Sequence, residues 1–297
     1  MSFSLLFTKR RPNMETIGEQ KLWTFVGTEM RTRPLRCTKI RHNAAPEVTS
    51  FMELARRVAE LQFMNRDHVL LFREQAADYL TTQNNSSLKP TLFRPDRGRK
   101  APDAATLYPR FTHLSTAEEL LLDRYRGKSI EMDRLKRHRI LRWAILQHYE
   151  ICPTPLLDVT HSLRIAASFA SQAGGESAFV FVLGVPNLSG AITASAEAGL
   201  QIVRLSSVCP PAAVRPHIQE GYLLGEYPEI AASQQKAHYP HFEIDFGRRL
   251  VAKFRFNPHE FWKDDAFPMV ERDALYPNND PLCDLAQDIR QVLNDNA

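Results

Sequence analysis

The sequence predicts an α+β fold in which small mixed or antiparallel sheets lie at the centre and helices flank them. Helical patterns come early and at the end of the chain, while short apolar strand patterns are scattered between residues 68 and 256. Strands and helices do not alternate regularly, which argues against a parallel βαβ sheet. The 297 residues are 43% hydrophobic and 24% charged, with a net charge of +4. This composition excludes a disordered or collagen-like chain.

The beginning of the chain is basic and weakly periodic. We therefore predict a basic N-terminal extension over residues 1–46, with an irregular surface segment at 31–36, and a second unit over 47–297. Ser50 and Glu53 have the spacing of a capping box, and the apolar residues after them recur at helical intervals, which predicts a helix. Residues 68–73 then form a short apolar run that ends in Arg73, typical of a buried strand.

The middle of the chain alternates between proline-rich and basic segments. Residues 81–115 carry four prolines and are predicted to be mostly loop. A helix is predicted from Ser115 to about residue 126, and a long basic helix over 131–148. Eight Lys and Arg lie between Arg124 and Arg142. We favour a solvated helix face for them, and an anion-facing patch is the alternative.

The second half contains the clearest strands. Two prolines make residues 152–158 a turn that leads into an extended piece. A helix with small residues on one face should follow Thr160, and close packing against a sheet is expected of it. Residues 178–183 form a continuous apolar run typical of a buried strand, and 201–205 and 250–256 are further strand candidates. Pro281 is predicted to begin a last amphipathic helix.

Several function classes are excluded by missing patterns. The sequence has no P-loop, no dinucleotide fingerprint and no metalloprotease motif. Its four cysteines are scattered and form no C-x-x-C pair, so we predict no metal site and a reduced, cytoplasmic protein. No apolar run approaches the roughly 20 residues that a membrane span needs.

Two candidate binding positions lie at the ends of predicted elements. Arg73 ends a buried strand, where its planar fork could hold a phosphate, or could simply pair with Glu74. His148 and Tyr149 end a helix, where they could offer a hydrogen bond and a stacking surface. A core histidine bonded to a backbone carbonyl is the favoured alternative.

Two further candidates are polar residues beside predicted turns. Thr160 and Ser162 are strong helix-capping types, and their hydroxyls could also contact a ligand sugar. Glu220 stands beside a glycine and is either a carboxylate at a cleft or a charge at a loop edge. Cys152, near His148 in sequence, is a weaker candidate nucleophile because no neighbour would lower its pKa.

Several of these segments together resemble the FRG-domain family, named for an aromatic-Arg-Gly tripeptide. The resemblance covers about residues 45–295, and its middle block is the specific one. The matching segments are Phe72-Arg73-Glu74 with Tyr79 and 88–94, Gln147 to Thr160 with Ala166, Ala167, Phe169 and Ala170, 215–222, 250–254, 275–277, and Leu285-Ala286. The chain departs from the family pattern at four positions, which are Glu74 and Glu150 for glycine, Pro155 for arginine and Val159 for tryptophan.

A more distant resemblance, to ADP-ribosyltransferases, implies a fold and a chemistry. In that family an aromatic-Arg pair on an early strand precedes a Ser/Thr-x-Ser element and a later carboxylate, and Arg73, Thr160 and Glu220 follow this order. The resemblance implies an ADP-ribosyltransferase-like fold with NAD as a substrate. In it Arg73 would hold the pyrophosphate, and Thr160 or Ser162 would position the nicotinamide ribose.

The remaining roles that this resemblance implies are stacking and catalysis. Tyr149 or Tyr222 would stack on the nicotinamide. Glu220 would stabilise the oxocarbenium-like transition state, and Gln219 and His148 are the other candidate catalytic residues.

The sequence thus leads to one main functional expectation and two alternatives. The main one is an FRG-domain protein that binds or consumes NAD as an ADP-ribosyltransferase or NAD glycohydrolase, with a bacterial defence or toxin-like role by family association. The first alternative is a non-catalytic module that binds a nucleotide or a protein partner. The second is nucleic-acid binding by the basic helix, and no membrane partner is expected.

Overall fold

The computed structural model describes residues 21–27, 30–96, 101–127, 129–172, 174–239, 244–263 and 267–295. The first twenty residues of the predicted extension, and Lys128 of the predicted basic patch, lie outside these ranges.

The strands of the described chain are mostly short. They are β1 Lys21–Val26, β2 Arg31–Arg36, β3 Val69–Gln75, β4 Leu157–Thr160, β5 Ala178–Val185, β6 Ile192–Ser195, β7 Leu200–Arg204, β8 Gly221–Glu226 and β9 Leu250–Phe256.

Helices precede and follow these strands. They are α1 Cys37–His42, α2 Phe51–Met64, α3 Ala104–Arg124, α4 Ser129–Arg137, α5 Arg139–His148, α6 Leu163–Gln172, α7 Leu205–Val208, α8 Arg215–Ile218, α9 Pro258–Phe261, α10 Arg272–Leu275 and α11 Pro281–Asp295.

Within the described residues the strands form two antiparallel sheets. β1 and β2 form a hairpin, and the other strands form one sheet in the order β6-β7-β8-β4-β3-β5-β9. In this sheet Phe72 of β3 is opposite Thr160 of β4, and Thr160 is opposite Gly221 of β8. The predicted combination of helices with antiparallel sheets is confirmed, and residues that are far apart in sequence meet on adjacent strands.

Apolar residues fill the space on both sides of the large sheet. On one side α2 and α6 pack, and the small residues Ala166, Ala167 and Ala170 of α6 are buried there, as their spacing predicts. On the other side α3, α5 and α11 form a second core with the fully buried ring of Trp143. The sheet therefore holds β3 and β4 rigidly between two apolar layers.

The basic segment near the start of the chain is ordered, which corrects the prediction of an irregular surface at 31–36. Residues 31–36 form β2, because they pair along their length with β1, whose Leu22 and Phe25 are buried. The following helix is tied down by Cys37, whose Sγ donates to the carbonyl of Gly247 at 3.0 Å. β1 and α1 thus pack against β9 of the large sheet, and the boundary near residue 46 stays a prediction.

Two further corrections concern the middle of the chain. Much of the predicted loop 81–115 is helical, because α3 begins after Asp103, whose side chain accepts from the Thr106 amide, and continues through Pro109. The predicted basic helix is two helices, which meet at His138. Part of its charge is neutralised, since Arg139 and Arg142 both pair with the buried Glu118, at 3.1 and 3.2 Å.

None of the described helices is both long and apolar enough to cross a bilayer. All four cysteines are free thiols, and the cytoplasmic location stays a prediction.

Candidate functional site

A polar cavity of about 260 Å³ opens where β3, β4 and the start of β8 lie side by side. Arginine, carboxylate, histidine and amide side chains dominate its wall. The lining residues are Arg73, Glu74, Thr91, Arg94, Gln147, His148, Glu150, Asp158, Val159, Thr160, Phe169, Leu205, Arg215, Gln219, Gly221 and Tyr276.

Arg73 lies at the centre of the large sheet and reaches the cavity from β3. Its Nη1 donates to the Asp158 carbonyl at 3.0 Å and lies 3.1 Å from a Glu74 carboxylate oxygen. Its buried Nε–H has no hydrogen-bond partner within the described ranges. Arg73 therefore pairs with Glu74 and has one buried N–H without a partner among the described residues.

Glu74 brings a carboxylate to the position where the FRG pattern has glycine. Burial raises the pKa of Glu74, and the adjacent Arg73 guanidinium only partly opposes this rise. The Glu74 carboxyl is therefore easier to protonate than an exposed glutamate.

His148 ends α5 and lines the cavity with its ring almost fully buried. Its Nδ1 lies 3.9 Å from Oδ1 of Asp158, and its Nε2 has no hydrogen-bond partner among the described side chains and backbone. None of the described backbone carbonyls accepts from this ring, so the core-histidine geometry that the sequence favoured is not the one observed. A histidine beside a carboxylate with its other nitrogen free can accept or donate a proton.

The carboxylate beside His148 accepts a hydrogen bond from Gln147, which is in turn held by Thr154. Gln147 donates from Nε2 to Asp158 at 2.5 Å, and its own oxygen accepts from the Thr154 hydroxyl at 2.6 Å. Burial alone would raise the pKa of Asp158, but His148, Arg73 and Gln147 outweigh burial and lower it. Asp158 is therefore kept ionised.

Thr160 and Gln219 form the wall between β4 and β8. The Thr160 hydroxyl donates to the Gln219 carbonyl at 2.8 Å and accepts from the Ser162 amide at 3.0 Å. The Gln219 amide donates to the Leu275 carbonyl at 2.8 Å. Both side chains line the cavity, but the Thr160 hydroxyl and one N–H of Gln219 already donate within the protein.

The structure thus places Arg73, His148, Thr160 and Gln219 on one cavity. Four other predicted site residues do not line it, namely Tyr149, Ser162, Glu220 and Tyr222. The Tyr149 ring is buried and its hydroxyl donates to Asp280 at 2.8 Å. The Tyr222 hydroxyl accepts from Arg204 at 3.1 Å.

Glu220 is exposed on the surface because its backbone turns at this position. Its φ is +45°, a left-handed conformation, and its carbonyl accepts from the His161 amide at 3.2 Å. The next residue, Gly221, is the one that lines the cavity. A Cβ at Gly221 would lie 2.7 Å from Leu205 Cδ1 and 3.5 Å from His148 Cε1, so a side chain there would require Leu205 to shift.

Sequence reasoning did not assign a site role to Arg94, Asp158 or Arg215, although all three line the cavity. Arg94 follows the short helix at Thr91–Phe93, and Arg215 begins α8. Burial, and then the nearby Arg73, lower the pKa of Arg94. Arg94, Asp158 and Arg215 lie in the FRG-like segments, which marked these segments as candidates for function. No local sequence pattern showed that the three residues meet in the fold.

The candidate nucleophile Cys152 does not line the cavity. Burial, with a smaller contribution from Glu118, raises its pKa to about 12, so its thiol is protonated near neutral pH. Among the described residues no cluster of three His, Cys, Asp or Glu could hold a metal ion.

Comparison with known proteins gives one positive result. No curated protein matches the chain, and no solved structure matches it. The family model described as the FRG domain matches residues 70–178. This segment includes most of β3, the helices α3 to α6 and β4, and therefore Arg73, His148, Asp158 and Thr160 of the cavity. The chain accordingly carries an FRG domain match over residues 70–178, and this match supports the FRG family.

Proposed function

We propose that the cavity binds NAD or a related nucleotide, and that the protein breaks the nicotinamide–ribose bond as an ADP-ribosyltransferase or NAD glycohydrolase with an ADP-ribosyltransferase-like fold. One observation carries the proposal. Three arginines, of which Arg73 lies on β3, and a histidine with a nitrogen that has no partner among the described residues line one cavity.

The arginines supply the binding part of the proposal. Arg73 and Arg94 would hold phosphate oxygens, because planar guanidinium groups match phosphate geometry. The cavity volume of 260 Å³ lies slightly under the range of about 300–1,000 Å³ for ligand pockets. It would therefore enclose one end of a dinucleotide, with the other end extending to the surface.

The carboxylates and His148 supply the chemical part. As the carbon–nitrogen bond breaks, nicotinamide leaves with the electron pair and positive charge develops on the ribose. Because the Glu220 side chain lies outside the cavity, the nearby negative charge would come from Asp158. A water or an acceptor hydroxyl would then attack the ribose carbon and give its proton to Nε2 of His148.

A non-catalytic nucleotide-binding module is the second candidate, and a specific observation favours it. None of the described residues of β8 brings a carboxylate into the cavity, since Gly221 occupies the lining position there. In this case the arginines would bind the nucleotide, and no bond would break.

Titration calorimetry with NAD, followed by chromatography of the products, distinguishes the candidates. We expect binding and release of nicotinamide by the wild type, weaker binding by Arg73→Ala, and binding without release by His148→Gln. Arg56→Ala, an exposed arginine on α2, is the matched control and should behave as the wild type. Binding without release by the wild type supports the second candidate, and the absence of both overturns the proposal.

The role in defence or as a toxin that the family resemblance implies belongs to the same proposal. Growth of bacteria that express the wild type, Arg73→Ala or Arg56→Ala tests it. Growth inhibition should depend on Arg73 and be unaffected by Arg56. Equal growth of all three strains, with and without phage, argues against the role.

A further inference from the structure

The start of α8 places a buried arginine in the cavity wall opposite the end of α5. The backbone amides of Val214 and Arg215 donate to one carboxylate oxygen of Asp280, at 3.0 and 2.9 Å. The same oxygen accepts from the Tyr149 hydroxyl at 2.8 Å. Asp280 therefore fixes both the backbone of Arg215 and the ring against which the Arg215 side chain lies.

The Arg215 guanidinium lies between two tyrosine rings. Its central carbon is 5.2 Å from the ring centre of Tyr149 and 4.6 Å from that of Tyr276. Such contacts favour the charged group and restrict its rotation. The Arg215 side chain is only 9% exposed, and its Nε–H has no hydrogen-bond partner in the described structure. The cavity wall thus holds a buried cation with one buried N–H that has no partner among the described residues.

The carboxylate that pairs with this cation is weakly held. Arg215 Nη2 lies 3.3 Å from Oε1 of Glu150, whose side chain is 64% exposed. An ion pair with one solvated partner contributes little to stability. Glu150 has a φ of +54°, so its backbone keeps the left-handed turn that suits the glycine of the FRG pattern.

We infer that Arg215 is a ligand-binding residue for a phosphate oxyanion. The Glu150 carboxylate would pair with Arg215 until the phosphate displaces it. The inference rests on the proposed nucleotide-binding function and adds Arg215 to the anion contacts proposed there for Arg73 and Arg94. Arg73 is a different case, because its Nη1 also donates to a backbone carbonyl. Replacement of an exposed carboxylate by a phosphate would give Arg215 stronger, charge-assisted bonds.

Calorimetric titration with inorganic pyrophosphate and with ADP-ribose tests the inference. Arg215→Gln should weaken binding about tenfold or more, as expected when a charge-assisted hydrogen bond is lost. Glu150→Gln should strengthen binding several-fold, because the competing carboxylate is gone while the residue shape is kept. Arg272→Gln is the matched control. The Arg272 guanidinium also lies over the Tyr276 ring, 5.3 Å from its centre, but Arg272 is exposed and does not line the cavity.

Several outcomes separate this inference from the proposed function. Pyrophosphate binding that depends on Arg215, without any NAD binding, supports the inference and contradicts the proposed function. NAD binding that Arg215→Gln and Arg272→Gln leave equally strong overturns the inference alone, as does a wild type that binds neither anion. Arg215→Lys, which keeps the charge, together with circular dichroism of each variant, shows that a loss of binding is not a loss of folding.

Discussion

Nδ1 of His148 lies 3.9 Å from Oδ1 of Asp158, while the other carboxylate oxygen of Asp158 accepts from Gln147 at 2.5 Å. These contacts join the end of α5 to β4 and keep the pKa of Asp158 low despite its burial, which alone would raise it. A low pKa in the folded protein means that the ionised carboxylate stabilises the fold. This contribution is present above the ordinary pKa of Asp, about 3.9, and is lost as the pH falls through the lower folded value.

Asp158→Asn should therefore reduce the free energy of unfolding near neutral pH and change it little in acid. We expect a loss of about 1–3 kcal/mol at neutral pH, typical of hydrogen bonds to charged groups. Urea unfolding from about pH 7 down to about pH 2 measures the difference. Asp67→Asn, at an exposed aspartate, is the control and should show no such pH dependence. A constant difference between Asp158→Asn and the wild type at all pH values would contradict the prediction.

The left-handed backbone at Glu150 gives a prediction with a defined sign. At a φ of +54° glycine avoids a strain that any other residue bears. Glu150→Gly should therefore be more stable than Glu150→Ala by about 1 kcal/mol, and thermal unfolding of the two variants measures this. The comparison at Glu119, exposed within α3, should have the opposite sign, because glycine weakens helices by about 1 kcal/mol relative to alanine. Alanine more stable than glycine at both positions would show that position 150 is not strained.

The lack of space at Gly221 predicts a steric cost. An added methyl group would lie 2.7 Å from Cδ1 of the fully buried Leu205, so this side chain would have to move. Gly221→Ala should lower the free energy of unfolding by about 1–3 kcal/mol, as overpacking does. Gly175→Ala, whose methyl group would lie 3.8 Å from the Ser177 carbonyl oxygen, should have a small effect, and chemical denaturation of both variants provides the test. Equal stability of the two variants would mean that the surroundings of Gly221 accommodate the added methyl group without cost.

The thiols should react slowly in the folded protein. Burial raises the pKa of Cys37 to about 11 and those of Cys152 and Cys209 to about 12, so few thiolates exist at neutral pH. Cys283 is less buried and should be alkylated first, as judged by mass spectrometry after timed exposure to iodoacetamide. Denaturant should make all four equally reactive. Rapid labelling of Cys152 without denaturant would contradict this prediction and support a nucleophilic role for Cys152.

The sequence allowed the strongest elements to be predicted, because their patterns are local. The apolar run of β5, the small-residue face of α6 and the amphipathic α11 were all recognisable in advance. The strand β2 was missed because its arginines concealed a pairing with β1 that only the three-dimensional structure shows. The start of α3 was missed because Pro109 argued against a helix that Asp103 nevertheless caps.

The candidate site was predictable in part for the same reason. Arg73, His148 and Thr160 ended predicted elements or lay in the FRG-like blocks, so they could be singled out. The pairing of Asp158 with His148 and the burial of Arg215 between tyrosines depend on contacts across the fold. No spacing rule could show that Glu220 turns outward while Gly221 lies at the cavity.

The strand order has a consequence for anyone who wishes to isolate the recognisable part of this protein. The matched segment 70–178 contains β3 and β4, but their outer neighbours β5 and β8 lie almost entirely beyond it. A fragment cut at those limits would expose two unpaired strand edges, which are sites of aggregation. It would also lack Arg215, Gln219, Gly221 and Tyr276 from the cavity wall. The unit to express and study therefore extends well beyond residues 70–178, because the matched segment is only a part of what folds together.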